Sequence, residues 1–307
     1  MKLPVIDSSI ATEVEFQKFY QGRKEEIQNY LKEHGCVKFR GIQIKTSEDF
    51  SSLIGSVSDK FIRYIDGNSP RTSLSDTVYT STEYDPKEKI TMHSELSYSV
   101  SWPKNIFFTS IIQAMSGGET LIADNREILA NMDDFVVEII RAKGVEYIRN
   151  LHGGEGFGPS WQDTFESDDR GVVSEFCTKQ GITFNWVGEN TLQIKNRSQG
   201  IINHHLRGEE IWFNQIDQFH PQQLGKDLTE ALNIMYSDPK DFPMYVQFAD
   251  GTPICGDFVE EILKVIDTVS LAPKWGANEI LMLDNEMISH GRNPFKGNRK
   301  VLVSMTN

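Results

Sequence analysis

With 307 residues, 24% of them charged, and a net charge of −13, the chain is long enough to bury a substantial core as one large domain or two ordinary ones. The acidic balance, with no basic stripe, repels an extended phosphate backbone, so nucleic acid is excluded as an expected partner. No apolar run approaches the roughly 20 residues of a membrane span, and residues 1–7 lack the apolar stretch and small-residue cleavage site of a secretory signal, which leads to the expectation of a cytoplasmic protein with no membrane partner.

In chain order, the apolar residues Phe16, Phe19, Tyr20, Ile27, Tyr30 and Leu31 recur at three- and four-residue intervals and predict one helix over 12–34, ended by Gly35. A short strand is expected at 36–39. The next helix starts near Ser47 as N-cap, with acidic Glu48 and Asp49 in its first turn and Phe50, Leu53 and Ile54 turned inward. Residues 64–89, rich in Ser and Thr with Pro70 and Pro86, read as a long loop able to serve as a lid. The centre reads as β, with strands at 105–112 and 119–123 joined through the Gly117–Gly118 turn. Asp124 or Asn125 then caps a helix, and Phe135, Val136, Ile139 and Ile140 form the stripe of another, closed by Gly144.

A strand at 145–149 leads into a glycine-rich stretch, 150–159, expected to be mobile; it has no Gly-Lys-Ser/Thr ending and so is no Walker phosphate loop. Residues 160–179 read as a helix with Trp161 and Phe165 inward. Short strands follow at 182–186, 191–195, 200–202 and 210–213. A helix-rich insert around 221–270 precedes a closing strand pair, 279–284 and 300–305. Many short strands with helices at the start and in inserts predict a single domain over 1–307, mainly β with peripheral helices and built on a jelly-roll-like double sheet. The three cysteines, Cys36, Cys177 and Cys255, are far apart and lack Cys-x-x-Cys spacing. They suggest neither a disulfide framework nor a zinc site and are expected to be buried.

The chemistry-bearing words are HSELSY at 93–98 and ISHGRNPF at 288–295. In extended backbone residues i and i+2 share a side, so His93 and Glu95 can present an imidazole and a carboxylate to one point. His290 would complete a two-His, one-carboxylate set of the kind that leaves open positions on non-haem Fe(II). The adjacent His204 and His205 are expected to face opposite ways along a strand and to form no shared site. Read without further context, the same pattern is also open to a Zn(II)-dependent hydrolase or isomerase, or to a non-catalytic metal-binding module.

The words VYTSTEYD (78–85), HSELSY (93–98), GGETLIAD (117–124), SWQ (160–162), WFNQ (212–215), LMLDN (281–285) and HGRNPFKGNR (290–299), in that order, resemble the Fe(II)- and 2-oxoglutarate-dependent dioxygenases of the taurine dioxygenase-like superfamily. The likeness covers roughly residues 70–305. It is strongest to the branch of clavaminate synthase-like enzymes and peptide-synthetase-associated amino-acid β-hydroxylases, where His-x-Glu replaces His-x-Asp. The resemblance implies a distorted double-stranded β-helix (jelly roll), Fe(II) held by His93, Glu95 and His290, and 2-oxoglutarate and O₂ as cosubstrates. It implies Arg299 as the anchor of the distal carboxylate, helped by the Thr120 hydroxyl, with Arg292 ranked second, either as that anchor or as a clamp on a substrate carboxylate. A guanidinium suits that task because it offers a carboxylate two parallel donors and stays charged when buried. Arg71, Ser97, Tyr98, Trp161, Asn214 and Gln215 are the candidates to line a substrate pocket.

Ser94 and Leu96 depart from the asparagines common at those places in the branch, which alters the pocket wall and not the ligands. The carboxylate at Glu95 disfavours halogenation, which needs that position free for halide. The expected reaction is hydroxylation of an unactivated C–H in a small amino-acid-like substrate, free or tethered to a carrier protein. Desaturation, cyclisation and oxidative decarboxylation start from the same hydrogen abstraction. Closure of 64–89 and 150–159 is expected to exclude water.

Overall fold

A computed structural model describes residues 1–69, 71–81 and 84–307. Its layers follow from strands whose two faces are both apolar. In the strand Glu279–Asp284, Ile280 and Met282 fall on one side and Leu281 and Leu283 on the other, and all four are buried. Phe107 is likewise divided from Ile106 and Phe108, and Leu302 from Val301, Val303 and Met305. Burial on both faces is why these segments read as continuous apolar runs and not as alternation. Each fully buried side chain of this size stabilises the fold by about 1.5–3 kcal/mol.

These strands sit together in a six-stranded sheet ordered Val5–Ile10, Cys36–Ile42, Glu279–Asp284, Asn105–Ile112, Lys300–Thr306, Tyr79–Thr80. Only the first pair is parallel. One face takes Phe16, Ile27, Phe50, Leu53 and Ile54 from the helices Glu13–Gly22, Lys24–His34 and Ser47–Gly55. The other face shares its core with a three-stranded antiparallel sheet, Ile90–His93, Ile288–Arg292 and Thr120–Asp124, through Met92, Leu121, Ile122 and Ile288. A four-stranded sheet, Met244–Phe248, Val145–Leu151, Thr191–Ser198 and Thr183–Val187, carries the helices Trp161–Phe165 and Arg170–Gln180 over Leu151, Leu192 and Ile194.

Several expectations are corrected. The predicted helix 12–34 is two helices broken at Arg23 (φ −118°, ψ 14°), beside Gly22, a residue that costs about 1 kcal/mol in a helix interior. The N-cap expected at Ser47 is Thr46, whose hydroxyl accepts from Asp49 N while the Asp49 carboxylate accepts from Thr46 N. The helix expected over 160–179 is interrupted at Glu166, which adopts φ +50°. Phe135 is 67% exposed, and Val137 takes the inward position assigned to it. Cys255 is exposed, unlike Cys36 and Cys177.

The closing strands 279–284 and 300–306 do not pair with each other: both flank Asn105–Ile112. The segment 221–270 contains, among its helices, the strand Met244–Phe248, which pairs with Val145–Leu151 and so belongs to a sheet. Strands outside the predicted set are Val5–Ile10, Ser116–Gly117, Ile288–Arg292 and Phe295–Lys296, and the extended segment expected at His93 is the strand Ile90–His93. Of the predicted loop 64–89, Pro70, Thr82 and Glu83 lie outside the described residues; the described ones hold the single short strand Tyr79–Thr80. Among the described residues, no helix is long and apolar enough to cross a membrane.

Candidate active site

The antiparallel pairing of Ile288–Arg292 with Ile90–His93 makes His290 and His93 direct cross-strand partners, so their side chains leave the same face of the small sheet. Their ring centroids are 4.4 Å apart. The strand ends at His93, and the chain turns through 94–99 with Leu96 at φ +57°. That conformation is strained for a branched side chain, and the turn holding it brings Glu95 back beneath the two rings. The Glu95 Oε2 atom lies 3.7 Å from His290 Nε2. One ligand atom each from His93, Glu95 and His290 fall within 4.8 Å of one another, all three side chains being buried. The convergence expected from His-x-Glu is therefore present, through a turn and not along a strand.

The protonation states suit a metal. His93 Nδ1 donates to the Thr91 carbonyl at 2.9 Å, which leaves Nε2 with its lone pair toward the cluster. Burial and the neighbouring His290 push the His93 imidazole down to about 3, so it is neutral at pH 7. For Glu95, burial alone would raise the carboxyl, but the Arg71 guanidinium and the two imidazoles outweigh it and hold the group well below the ordinary carboxylate range. Two imidazoles and one carboxylate on a single buried side form a donor set that fits a divalent first-row metal with positions left open.

Asn285 fixes the carboxylate's backbone, with Oδ1 accepting from Glu95 N at 2.7 Å and Nδ2 donating to Glu95 O at 3.0 Å and to Pro103 O at 2.9 Å. Next to it, Glu286 accepts from Trp102 Nε1, Lys104 Nζ, His205 N and His205 Nδ1. His205 bonds Glu286, while the adjacent His204 places Nε2 2.9 Å from Asp284 Oδ2 and 3.9 Å from Glu286 Oε2, the two rings 4.7 Å apart. The opposite-facing expectation fails because the strand Ile201–Asn203 ends before them. All four lone-pair directions of Glu286 are taken by protein donors, so the cluster serves as a brace under the 284–287 turn.

Burial would raise the Glu286 carboxyl, yet Lys104, His205 and Trp102 together bring it down to about 2. A carboxyl held below its unfolded value contributes stability that is complete above that unfolded value and is lost as pH falls through the folded one. Glu286→Gln is therefore expected to lower stability by about 2–3 kcal/mol at pH 7. The gap from wild type should close between about pH 4.5 and pH 2 in urea melts across that range; a gap that stays constant would contradict the assignment.

A small cleft opens beside the His93–His290 pair, lined also by Arg71, Ser81, Ile90, Phe108, Thr120, Arg292, Arg299 and Val301. Arg299 donates from Nε to the Gly118 carbonyl at 2.9 Å and from Nη1 to Ser81 Oγ at 3.2 Å. Gly118 has φ +75°, and a Cβ there would sit 3.0 Å from Arg299 Cδ, so the turn and the arginine require each other. Burial and the Arg292 charge lower Arg299 to about 10, still protonated at neutral pH. Arg292 also borders the cavity, but its guanidinium donates to the carbonyls of Tyr84, Asp85 and Glu88 at 3.2, 2.7 and 2.8 Å. It staples the 84–88 segment to the small sheet.

The six residues expected to line a substrate pocket separate. Arg71 lines the cavity and donates to Glu95. Gln215 Nε2 donates to Ser94 O and Ser97 Oγ, and Tyr98 Oη donates to Asp66 O, so Ser97, Tyr98 and Gln215 hold the 94–99 turn from behind. Asn214 is spent on Gly200 O and Ile216 N. Trp161 packs edge-on against Trp186 in the cluster over the four-stranded sheet, remote from the cavity because its helix covers that sheet's outer side. Sequence reading missed Ser81, Phe108 (ring 5.0 Å from His290) and Asn285. For Phe108 the signal was its parity with Ile106 in a strand already predicted. Ser81 and Asn285 fell inside matching words but carried no separable signal.

Comparison with known proteins accords with this geometry. The chain is 33% identical over 280 residues to the dapdiamide synthesis protein DdaC of Enterobacter agglomerans, covering 91% of this chain and 84% of that one. It is 27% identical to a clavaminate synthase-like protein of Arabidopsis thaliana, covering 99% and 88%. Among solved structures, it shares its fold with an asparagine oxygenase in complex with Fe(II), 3-hydroxyasparagine and succinate (TM-score 0.57, 9% identity, 96% and 83% covered). It does so also with PvcB, an Fe, alpha-ketoglutarate dependent oxygenase from an isonitrile synthetic pathway (TM-score 0.51, 11% identity, 98% and 84% covered). Residues 5–306 match the family of taurine catabolism dioxygenases TauD and TfdA, and the chain belongs to that family as an Fe(II)- and 2-oxoglutarate-dependent dioxygenase.

Proposed function

We propose that His93, Glu95 and His290 hold the iron, that Arg299 with Thr120 receives the distal carboxylate of 2-oxoglutarate, and that the enzyme hydroxylates an unactivated C–H of an amino acid or amino-acid derivative in a biosynthetic pathway. The observation that carries this reading is the meeting of the three ligand atoms within 4.8 Å at the wall of the cavity that Arg299 and Thr120 also line. Support for the substrate class comes from the names of the relatives: an asparagine oxygenase and a dapdiamide synthesis protein. A distorted double-stranded β-helix in one domain, the two apolar-faced sheets enclosing a single core, is the architecture this reading takes.

Iron with 2-oxoglutarate and O₂ supplies an oxidant strong enough for an unactivated C–H, succinate and CO₂ being the coproducts. The chain's own residues position and shield. Arg299, preset by Gly118 O and Ser81 Oγ, keeps part of its guanidinium for the cosubstrate. Ile90, Phe108 and Val301 form the apolar wall that limits water, and Arg292 draws the 84–88 segment over the rim.

Anaerobic addition of Fe(II) and 2-oxoglutarate to folded protein is expected to produce a weak visible charge-transfer band. Air with an amino-acid panel should then release succinate in step with substrate loss. A folded, iron-containing protein that gives no band would refute the reading.

A further inference from the structure

The cavity wall holds three guanidinium groups: Arg292 gives both terminal nitrogens to three carbonyls and leaves only Nε unpaired, and Arg299 is held ready by Gly118 and Ser81. Arg71 is the third. Its side chain is 2% exposed, and Nη2 donates to Glu95 Oε2 at 2.5 Å. Its Nε and Nη1 are buried with no partner among the described residues. The guanidinium is not free to search for one: it lies 4.3 Å over the Tyr64 ring, and Tyr64 Oη is itself fixed by accepting from Ser69 N. Buried donors left unpaired are uncommon, and each calls for a partner or a role.

From this geometry, and resting on the reading above, we infer that Arg71 receives a carboxylate of the organic substrate, so that the substrate binds with at least one free acid group. Charge points the same way: a guanidinium buried at the cavity wall with unpaired donors favours an anionic partner over a neutral one. A thioester or amide presents no such charge and cannot accept the paired donors of a guanidinium fork as a carboxylate does. Because Arg71 also grips Glu95, a carboxylate bound to it would be fixed relative to the iron through a single planar group. The substrate's reacting carbon would then lie a short, defined distance from its own acid group.

The test uses whole protein with Fe(II) under anaerobic conditions and saturating 2-oxoglutarate, so that Arg299 is occupied. Two probe pairs are titrated, propionate against propionamide and L-alanine against L-alaninamide, with perturbation of the visible band and the thermal midpoint as readouts. The acids are expected to bind at least about tenfold more tightly than the amides. Arg71→Gln should reduce that preference below about twofold while leaving 2-oxoglutarate affinity within about threefold. Equal binding of acid and amide, no binding of either acid, or an acid preference that survives Arg71→Gln overturns the inference.

A residue that only positioned Glu95 would change iron affinity without moving the acid-to-amide ratio. If Arg71→Gln fails to retain iron, Arg71→Lys decides. It keeps the charge without the fork, so it must show a reduced preference for the acids, and full or absent preference counts against the assignment. A missing band in wild-type protein would fail the dioxygenase assignment of the site, whereas a normal band without acid preference fails the Arg71 role alone.

Discussion

His93→Ala is expected to abolish turnover and to weaken iron binding by more than the roughly 10–100-fold that loss of a partner behind a ligand costs. His93 and His290 are cross-strand neighbours, and Glu95 Oε2 lies 3.7 Å from His290 Nε2. Removing one imidazole leaves a His–Glu pair that cannot define three positions around a metal. The fold should survive, because the core beneath is built by Met92, Ile122 and Ile288, which the substitution does not touch. Circular dichroism should therefore be unchanged while iron per chain falls to near zero after desalting. Full iron occupancy in the variant would remove His93 from the ligand set.

The second large effect is expected at Arg299. Arg299→Ala should raise the 2-oxoglutarate dissociation constant by roughly 30- to 700-fold, the equivalent of about 2–4 kcal/mol for truncating one side of a buried charge pair. Iron affinity should change by less than about threefold, since Arg299 donates to Gly118 O and Ser81 Oγ and to none of the three candidate ligands. The pair of measurements matters more than either alone. Unchanged 2-oxoglutarate affinity would move the anchor to Arg292, whose donors would then have to leave the carbonyls of Tyr84, Asp85 and Glu88. Arg299→Lys should recover only part of the loss, a point charge replacing a two-pronged donor.

How much of this was readable beforehand depends on the range of the interaction that decides each element. Strands with both faces buried, such as 105–112 and 279–284, announce themselves as apolar runs, and their predicted limits match the structure. Helix ends were less legible. Thr46 and Ser47 are equally good caps by type, and only the reciprocal bond with Asp49 chose the first. The strands Ile90–His93 and Ile288–Arg292 gave little signal because they are short and carry polar site residues where a strand would otherwise show apolar alternation. Trp161 illustrates a limit of reading words: it lies in a matching segment, yet it packs against Trp186 over another sheet.

The sequence by itself determined the chemical inventory and its class: His93, Glu95, His290 and Arg299, a mainly β chain of alternating short strands, and an acidic surface unsuited to nucleic acid. Those features are local, set by residue type, spacing and parity. Tertiary structure decided which side chains share the cavity, that Arg292 gives both terminal nitrogens to carbonyls while Arg71 keeps Nε and Nη1 unpaired, and that Asn285 holds the Glu95 backbone from 190 residues away. Such pairings depend on sheet register and on which competing partner arrives first in space, and no spacing along the chain encodes either.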